Sequence, residues 1–331
     1  MKRFLLAIIM LSSILLAACG SPAASTAPTA APEPTVAPEP TAAPAANTRV
    51  VTDANGVELE IPAKPERVIA IIQEDFDVLI GLDFLPIAVA NGMGSSEPAK
   101  YLAYATKDLP NIGDMNSPSI EKIASLKPDL ILVGDMSDEW QGELLGQLRE
   151  IAPVVNTMVW GEHWYEHTRR VASILGIEPK AEEVIAAYEA HVAQVRAAIG
   201  DNVNETVSIV RWNVDGPSYM QKLNFSSRVL ADIGLQRPAH QQEEGFATSD
   251  RLSLEQLDLL EADWLFVGTL SPVGDHATAL SDAKQSPLFQ KLSPVQNNKV
   301  YEMDGSIWGT LGGPIAANLI LDDVLAAMGS N

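Results

Sequence analysis

The chain has 331 residues, with 22 Lys and Arg against 43 Asp and Glu, one Cys, and 47% apolar residues. That length fits about two domains with full cores, and a net charge of −21 argues against broad electrostatic binding of nucleic acid or anionic lipid. A single Cys excludes an internal disulfide and any Cys-rich zinc or iron–sulfur centre.

In chain order, Lys2 and Arg3 precede an apolar run from Phe4 to Leu16, broken by Ser12 and Ser13. The run is too short to span a bilayer comfortably and ends in Leu16-Ala17-Ala18-Cys19, so residues 1–18 read as a signal peptide. A Cys directly after small residues resembles the lipobox of bacterial lipoproteins, which implies a lipid on the Cys19 sulfur and cleavage before it. Residues 20–47 hold seven Pro, ten Ala and four Thr. Such a stretch cannot bury apolar surface, so 19–47 is expected to be an extended tether. No later run is apolar enough to cross a membrane.

Two strand-like stretches, Arg49–Asp53 and Val57–Ile61, flank Asn55-Gly56, a hairpin signal. Short apolar strands then alternate with helical patterns: strands at Val68–Ile72, Pro86–Ala90, Leu130–Val133 and Pro153–Met158, with helices at Phe76–Leu82, Ile120–Leu126, Glu139–Glu150 and Tyr165–Leu175. This order predicts a mostly parallel sheet covered by helices. Ala181–Ile199 differs. Val184, Tyr188, Val192, Val195 and Ile199 recur at helical spacing with no Gly or Pro between them. The alternation restarts after it, with strands at Thr206–Trp212, Trp264–Val267 and Val300–Met303 and helices at Ser226–Ile233, Leu254–Leu260 and Pro314–Met328. The expected fold is therefore α/β. Two Rossmann-like lobes with mostly parallel sheets, residues 48–178 and 202–331, are joined by one long helix over 179–201.

An internal repeat supports the split. Residues 119–134, SIEKIASLKPDLILVG, align without gaps to 253–268, SLEQLDLLEADWLFVG. Each copy reads as a capped helix, a turn and a buried strand.

Two such lobes on a tether suggest a ligand cleft at the strand ends. Here the chain resembles the substrate-binding lipoproteins of ABC importers, in the iron-siderophore and cobalamin class whose lobes share one long helix. The repeat, Val207-Ser-Ile-Val-Arg211, the stretch 229–238, Leu252-Ser-Leu-Glu-Gln-Leu, Ser286-Pro-Leu-Phe, Val300-Tyr and Trp308 carry the resemblance. It implies capture of a ferric siderophore, an ABC permease dimer with its ATPase as partner, a monomer with no cofactor and no enzymatic activity, and an extracytoplasmic site of action. A continuous helix resists bending, so lobe motion on binding is expected to be small. Cobalamin or haem is the alternative cargo.

The resemblance also suggests site residues. Glu121 and Glu255 share one slot of the repeat, where the family carries a surface Glu on each lobe for docking on permease arginines. A helix-dipole role is the plainer reading of both. Arg211 ends a predicted strand and is the family's ligand-contacting position, with Arg251 a weaker candidate. Guanidinium groups suit carboxylate, catecholate or hydroxamate oxygens. Tyr219, Trp308, Trp160 and Trp212 fall at strand ends, where flat rings suit a bulky chelate, although core packing is the commoner fate of an aromatic. Arg211 and Phe225-Ser-Ser-Arg228 favour a siderophore over cobalamin. So few arginines favour a neutral hydroxamate over a citrate-type chelate.

One motif opposes this. His163-Trp-Tyr-Glu166-His167 is an H-x-x-E-H pattern, in which two His on one helical face could hold zinc with Glu166 as base. It keeps an exported zinc hydrolase as the alternative from another class, although no third ligand stands out.

Overall fold

The computed structural model describes residues 47–245 and 248–329. Cys19, the signal segment and nearly all of the tether lie outside them. Strands β1 (Thr48–Thr52) and β2 (Glu58–Pro62) pair antiparallel around Asn55-Gly56. The Asp53 carboxylate closes that turn, accepting from the Asn55 and Val57 N–H groups at 2.8 and 2.9 Å.

The first lobe rests on β3 (Val68–Ala70), β4 (Leu130–Leu132) and β5 (Val154–Val155), adjacent in that order and all parallel. Every residue in these strands is buried, as a parallel sheet covered on both faces demands. Helices α1 (Gln73–Gly81), α2 (Ile120–Leu126), α3 (Asp138–Arg149) and α4 (Trp164–Leu175) surround it. The expected strand over Pro86–Ala90 does not form. Pro86 has no N–H to give, and the ladder beside β3 reduces to Ile87 N–H to the Val68 carbonyl at 3.0 Å and one bridge from Val89 to Asn111.

Helix α5 (Glu178–Ile199) follows, 22 residues and about 33 Å long. Pro179 sits in its first turn, where a missing N–H costs nothing. Its buried side chains serve both cores: Ala181 packs in the first lobe, and Ile185, Tyr188, Val195 and Ile199 in the second.

The second lobe carries β6 (Val207–Asn213), β7 (Gly216–Tyr219), β8 (Trp264–Gly268) and β9 (Val300–Glu302) in the spatial order β9-β8-β6-β7, parallel except for β7. Helices α6 (Phe225–Ile233) and α7 (Asp275–Lys284), the single turn α8 (Gly305–Trp308) and helix α9 (Pro314–Met328) complete it. Leu254–Leu260 is a 3-10 helix, not an α-helix.

The repeat has a physical basis. Ser119 Oγ accepts from the Lys122 N–H at 3.3 Å, and Ser253 forms a capping box with Gln256. The matched terminal glycines both permit close approach. A Cβ on Gly134 would lie 1.9 Å from Ile72 Cδ1, and one on Gly268 would lie 2.1 Å from the Met303 carbonyl oxygen.

The lobes also meet away from α5. Asp77 of α1 is fully buried, and its carboxylate accepts from the Ile315 and Ala316 N–H groups at 2.8 and 2.9 Å and from the Tyr101 hydroxyl at 3.0 Å. It thereby caps α9 from the other lobe. Removing it strands two buried amides and a phenol. Asp77→Ala is expected to cost about 3 kcal/mol, read as a lower midpoint in urea unfolding followed by tryptophan fluorescence.

Candidate functional site

The carboxyl ends of both parallel sheets converge on one seam. Gln73, just beyond β3, donates to the Ser306 carbonyl at 3.3 Å. Gly94 packs against Leu270, which follows β8, so that a Cβ there would lie 3.3 Å from Leu270 Cδ1.

Arg211 lies on this side of the second lobe. Its Nη1 donates to the Gly309 carbonyl at 2.9 Å, while its Nε is buried with no partner. Arg211 faces Ser218 across the β6–β7 ladder, and the Ser218 hydroxyl accepts from Arg251 Nη1 at 2.5 Å. The structure thus brings both predicted arginines to one serine. Burial and the neighbouring Arg251 charge push the Arg211 pKa down. Among the described residues, neither guanidinium has a carboxylate partner. Two like charges held this way favour an anion between them.

The predicted aromatics separate. Strand alternation sets Val210 and Trp212 on the opposite face of β6 from Arg211. Trp212 is 2% exposed, edge-on to Phe289 in the core behind the sheet, which corrects its assignment to the cleft wall. Trp308 is likewise core, at 0% exposure. The chain turns helically at Gly305, driving the indole inward to donate to Asp323 at 2.7 Å and to pack on Phe266. Tyr219 packs partly into the same rear core and stands edge-on to His240. Trp160, beyond β5, is exposed. The carbonyl of the next residue, Gly161, accepts from Arg228 of the second lobe, so Arg228 stitches the lobes at the cleft edge. Glu121 and Glu255 are both exposed, each in the first turn of its repeat helix.

The zinc motif does not assemble. His163 precedes α4 as its cap, with Nδ1 accepting from the Tyr165 N–H at 3.3 Å, so it does not share a helical face with His167. Its Nε2 lies 3.4 Å from Asp232. His167 Nε2 lies 2.9 Å from Asp75 deep in the first lobe, and Glu166 pairs with Arg169 at 2.9 Å. Among the described residues no three His, Cys, Asp or Glu side chains group to hold a metal. This corrects the hydrolase alternative.

One group escaped the sequence reading. Gln73-Glu74-Asp75-Phe76-Asp77 opens α1, and all five residues are buried. Acids in a first helical turn ordinarily signal only the dipole, so their pattern gave no warning. Asp75 accepts from Thr157 at 2.6 Å and from the Gly134 N–H at 2.9 Å, besides meeting His167. Glu74 has no such partners. Burial pushes its carboxyl up to about 8, opposed by its own amide and assisted by the charges of Asp75, Asp135 and Asp77.

A model of the periplasmic binding protein family matches residues 68–307. The chain belongs to this family. Its relatives include the "Probable siderophore-binding lipoprotein YfiY" of Bacillus subtilis (strain 168), 29% identical over 287 residues, covering 85% of this chain and 87% of the relative. The iron(3+)-hydroxamate-binding protein FhuD of the same organism is 28% identical over 272 residues, covering 78% and 80%. Among solved structures, Staphylococcus aureus SirA complexed with staphyloferrin B superposes with a TM-score of 0.73 at 26% identity, covering 85% of this chain and 98% of that one.

The raised carboxyl of this family member makes stability pH-dependent. An acid whose folded pKa exceeds its unfolded value favours the folded state below the unfolded pKa and loses that contribution as pH climbs through the folded value. Glu74→Gln is therefore expected to raise the melting temperature at pH 9 and leave it unchanged near pH 4, as measured by calorimetry across pH.

Proposed function

We propose that this protein captures a ferric siderophore at the seam between its lobes and hands it to an ABC permease on the extracytoplasmic side of a membrane. The Arg211–Arg251 pair carries this reading. In a chain with a net charge of −21, two guanidinium groups without carboxylate partners, one of them partly buried, invite an anion from outside. They support a carboxylate-bearing ferric chelate over the neutral hydroxamate that so few arginines first suggested. The siderophore-binding names of the relatives support a ferric chelate as cargo and include a hydroxamate binder, so they do not choose between the two classes. The protein binds and carries, and it catalyses no reaction.

Of the aromatic candidates, Trp160 at the rim is left beside the cargo, while Tyr219 packs toward the core behind the sheet. Glu121 and Glu255 would present one carboxylate from each lobe to a two-fold related permease dimer. Lipidated Cys19 would hold the protein at the membrane through the tether of residues 19–47. The lobes of residues 48–178 and 202–331 would then act as one body around the connecting helix.

Arg211→Ala and Arg251→Ala are each expected to weaken ferric citrate at least about tenfold, the scale of one lost charge-assisted contact, and to change binding of a neutral ferric trihydroxamate far less. Titration of intrinsic tryptophan fluorescence measures both, and unchanged citrate affinity in the double variant refutes the reading. Reversing both docking charges, Glu121→Arg with Glu255→Arg, is expected to abolish iron uptake in cells while purified protein keeps its affinity. A loss of affinity would contradict the docking role.

A further inference from the structure

The internal repeat builds the same hollow on each lobe. In each copy one helix enters a parallel strand and another leaves it: α2 and α3 around β4, the 3-10 helix Leu254–Leu260 and α7 around β8. A helix that precedes a parallel strand runs against it, and one that follows starts where the strand ends. Both helices of each pair therefore turn their amino ends to the carboxyl edge of the sheet. On that edge the two sheets converge on the seam.

The first lobe has two adjoining hollows between α2 and α3, of 490 and 640 Å³, which share Ile120, Glu143 and Gln147 as walls. Trp140 lines one and Glu121 the other, so they form one continuous groove. Gly146 of α3 opens it, since a Cβ there would meet nothing within 4 Å. The second lobe has a hollow of 330 Å³ between Leu254 and α7. Leu254 holds the repeat slot of Ile120, and it precedes Glu255 as Ile120 precedes Glu121. The fold leaves apolar surface open at both places. Trp140 is 80% exposed, Leu254 48% and Val214, which lines the second hollow, 56%.

Charge narrows the occupant. Glu121, Glu143 and Glu150 line the first groove, Asp215 and Asp282 the second, and among the described residues no Lys or Arg lines either. Such walls repel anionic lipid headgroups, and a net charge of −21 opposes a second copy of this chain. They suit a cation beside an apolar group. A hollow built twice by a repeat suits a partner that presents one surface twice.

We propose that each groove receives an apolar side chain flanked by an arginine from one subunit of a two-fold permease dimer, with Trp140 as the main anchor on the first lobe and Leu254 as its counterpart on the second. This deepens, and rests on, the reading of the protein as a chelate carrier. Glu121 and Glu255 then steer the partner, while burial of Trp140 and Leu254 holds it, as aromatic anchors at the centre of interfaces do. The carboxyl edge of both sheets faces the recipient, so the mouth of the seam lies between the two contacts.

The test measures uptake of radiolabelled iron by cells whose only copy of this protein is the variant, at matched expression. The iron is supplied as ferric citrate or a neutral ferric trihydroxamate, whichever the purified wild-type protein binds more tightly by calorimetry. Trp140→Ala with Leu254→Ala is expected to lower uptake at least about tenfold, the scale of a lost anchor, while the purified variant keeps its chelate affinity. Gly146→Leu fills the first groove without touching the core and is expected to lower uptake with an undiminished melting temperature. Val50→Ala, an equally exposed apolar site on β1 at 63%, is expected to change nothing. Full uptake in both groove variants overturns the inference and leaves the chelate reading standing. So does a wild-type protein that dimerises in sedimentation and a Trp140→Ala variant that does not, because the groove then serves a second copy. Failure of wild-type protein to bind either chelate or to support uptake overturns the chelate reading and the docking inference with it.

Discussion

The carboxylate of Asp77 sits where two lobes and the last helix meet. It stands on α1 of the first lobe and supplies the negative charge that the amino end of α9 lacks on its own. Burial pushes its pKa up, and the amide and phenol donors around it oppose that push. The contact leaves little slack. Gly313 precedes α9, and a Cβ there would lie 2.8 Å from the Asp77 carboxylate oxygen. Because α9 also packs along α5, this one polar contact fixes the first lobe against the two helices that organise the second.

Other stitches lie along the same seam. Gln73 reaches Ser306, Arg228 reaches Gly161, and His163 approaches Asp232, which also accepts from the Tyr188 hydroxyl of α5 at 2.8 Å. Each ties one lobe to the other or to the connector. A rod-like connector alone would limit bending, and these contacts add resistance to twist. The cleft is therefore better described as a shaped slot between braced walls than as a jaw. In such a slot, specificity comes from charges that are in place before the ligand arrives.

Much of the architecture was legible because it depends on period and punctuation. The alternation of strands and helices, the hairpin at Asn55-Gly56 and the helix Pro314–Met328 all follow from local patterns that tertiary packing reinforces. The repeat could be read because both copies solve the same packing problem, down to the glycines that let Ile72 and Met303 close in. Legibility failed where one local signal serves two purposes. Trp212 and Trp308 stand at strand ends whether they face a ligand or a core, and only the sheet face and the turn at Gly305 decide. His163 and His167 are four apart in any helix, but the helix begins one residue too late to use both.

The acids of α1 show the same limit most sharply. Asp75, Asp77 and Glu74 are chemically alike in sequence, yet their partners come from residues 24 to 239 positions away or do not come at all. Asp75 is consumed by the first-lobe core and Asp77 by the lobe junction, and each is stabilised as an acceptor by the donors it meets. Glu74 has the same burial without that compensation. A chain with acids in such excess can seat carboxylates on its surface at no cost. Keeping one buried without a donor from another residue is therefore a local cost of the fold, and the raised pKa of Glu74 is its signature.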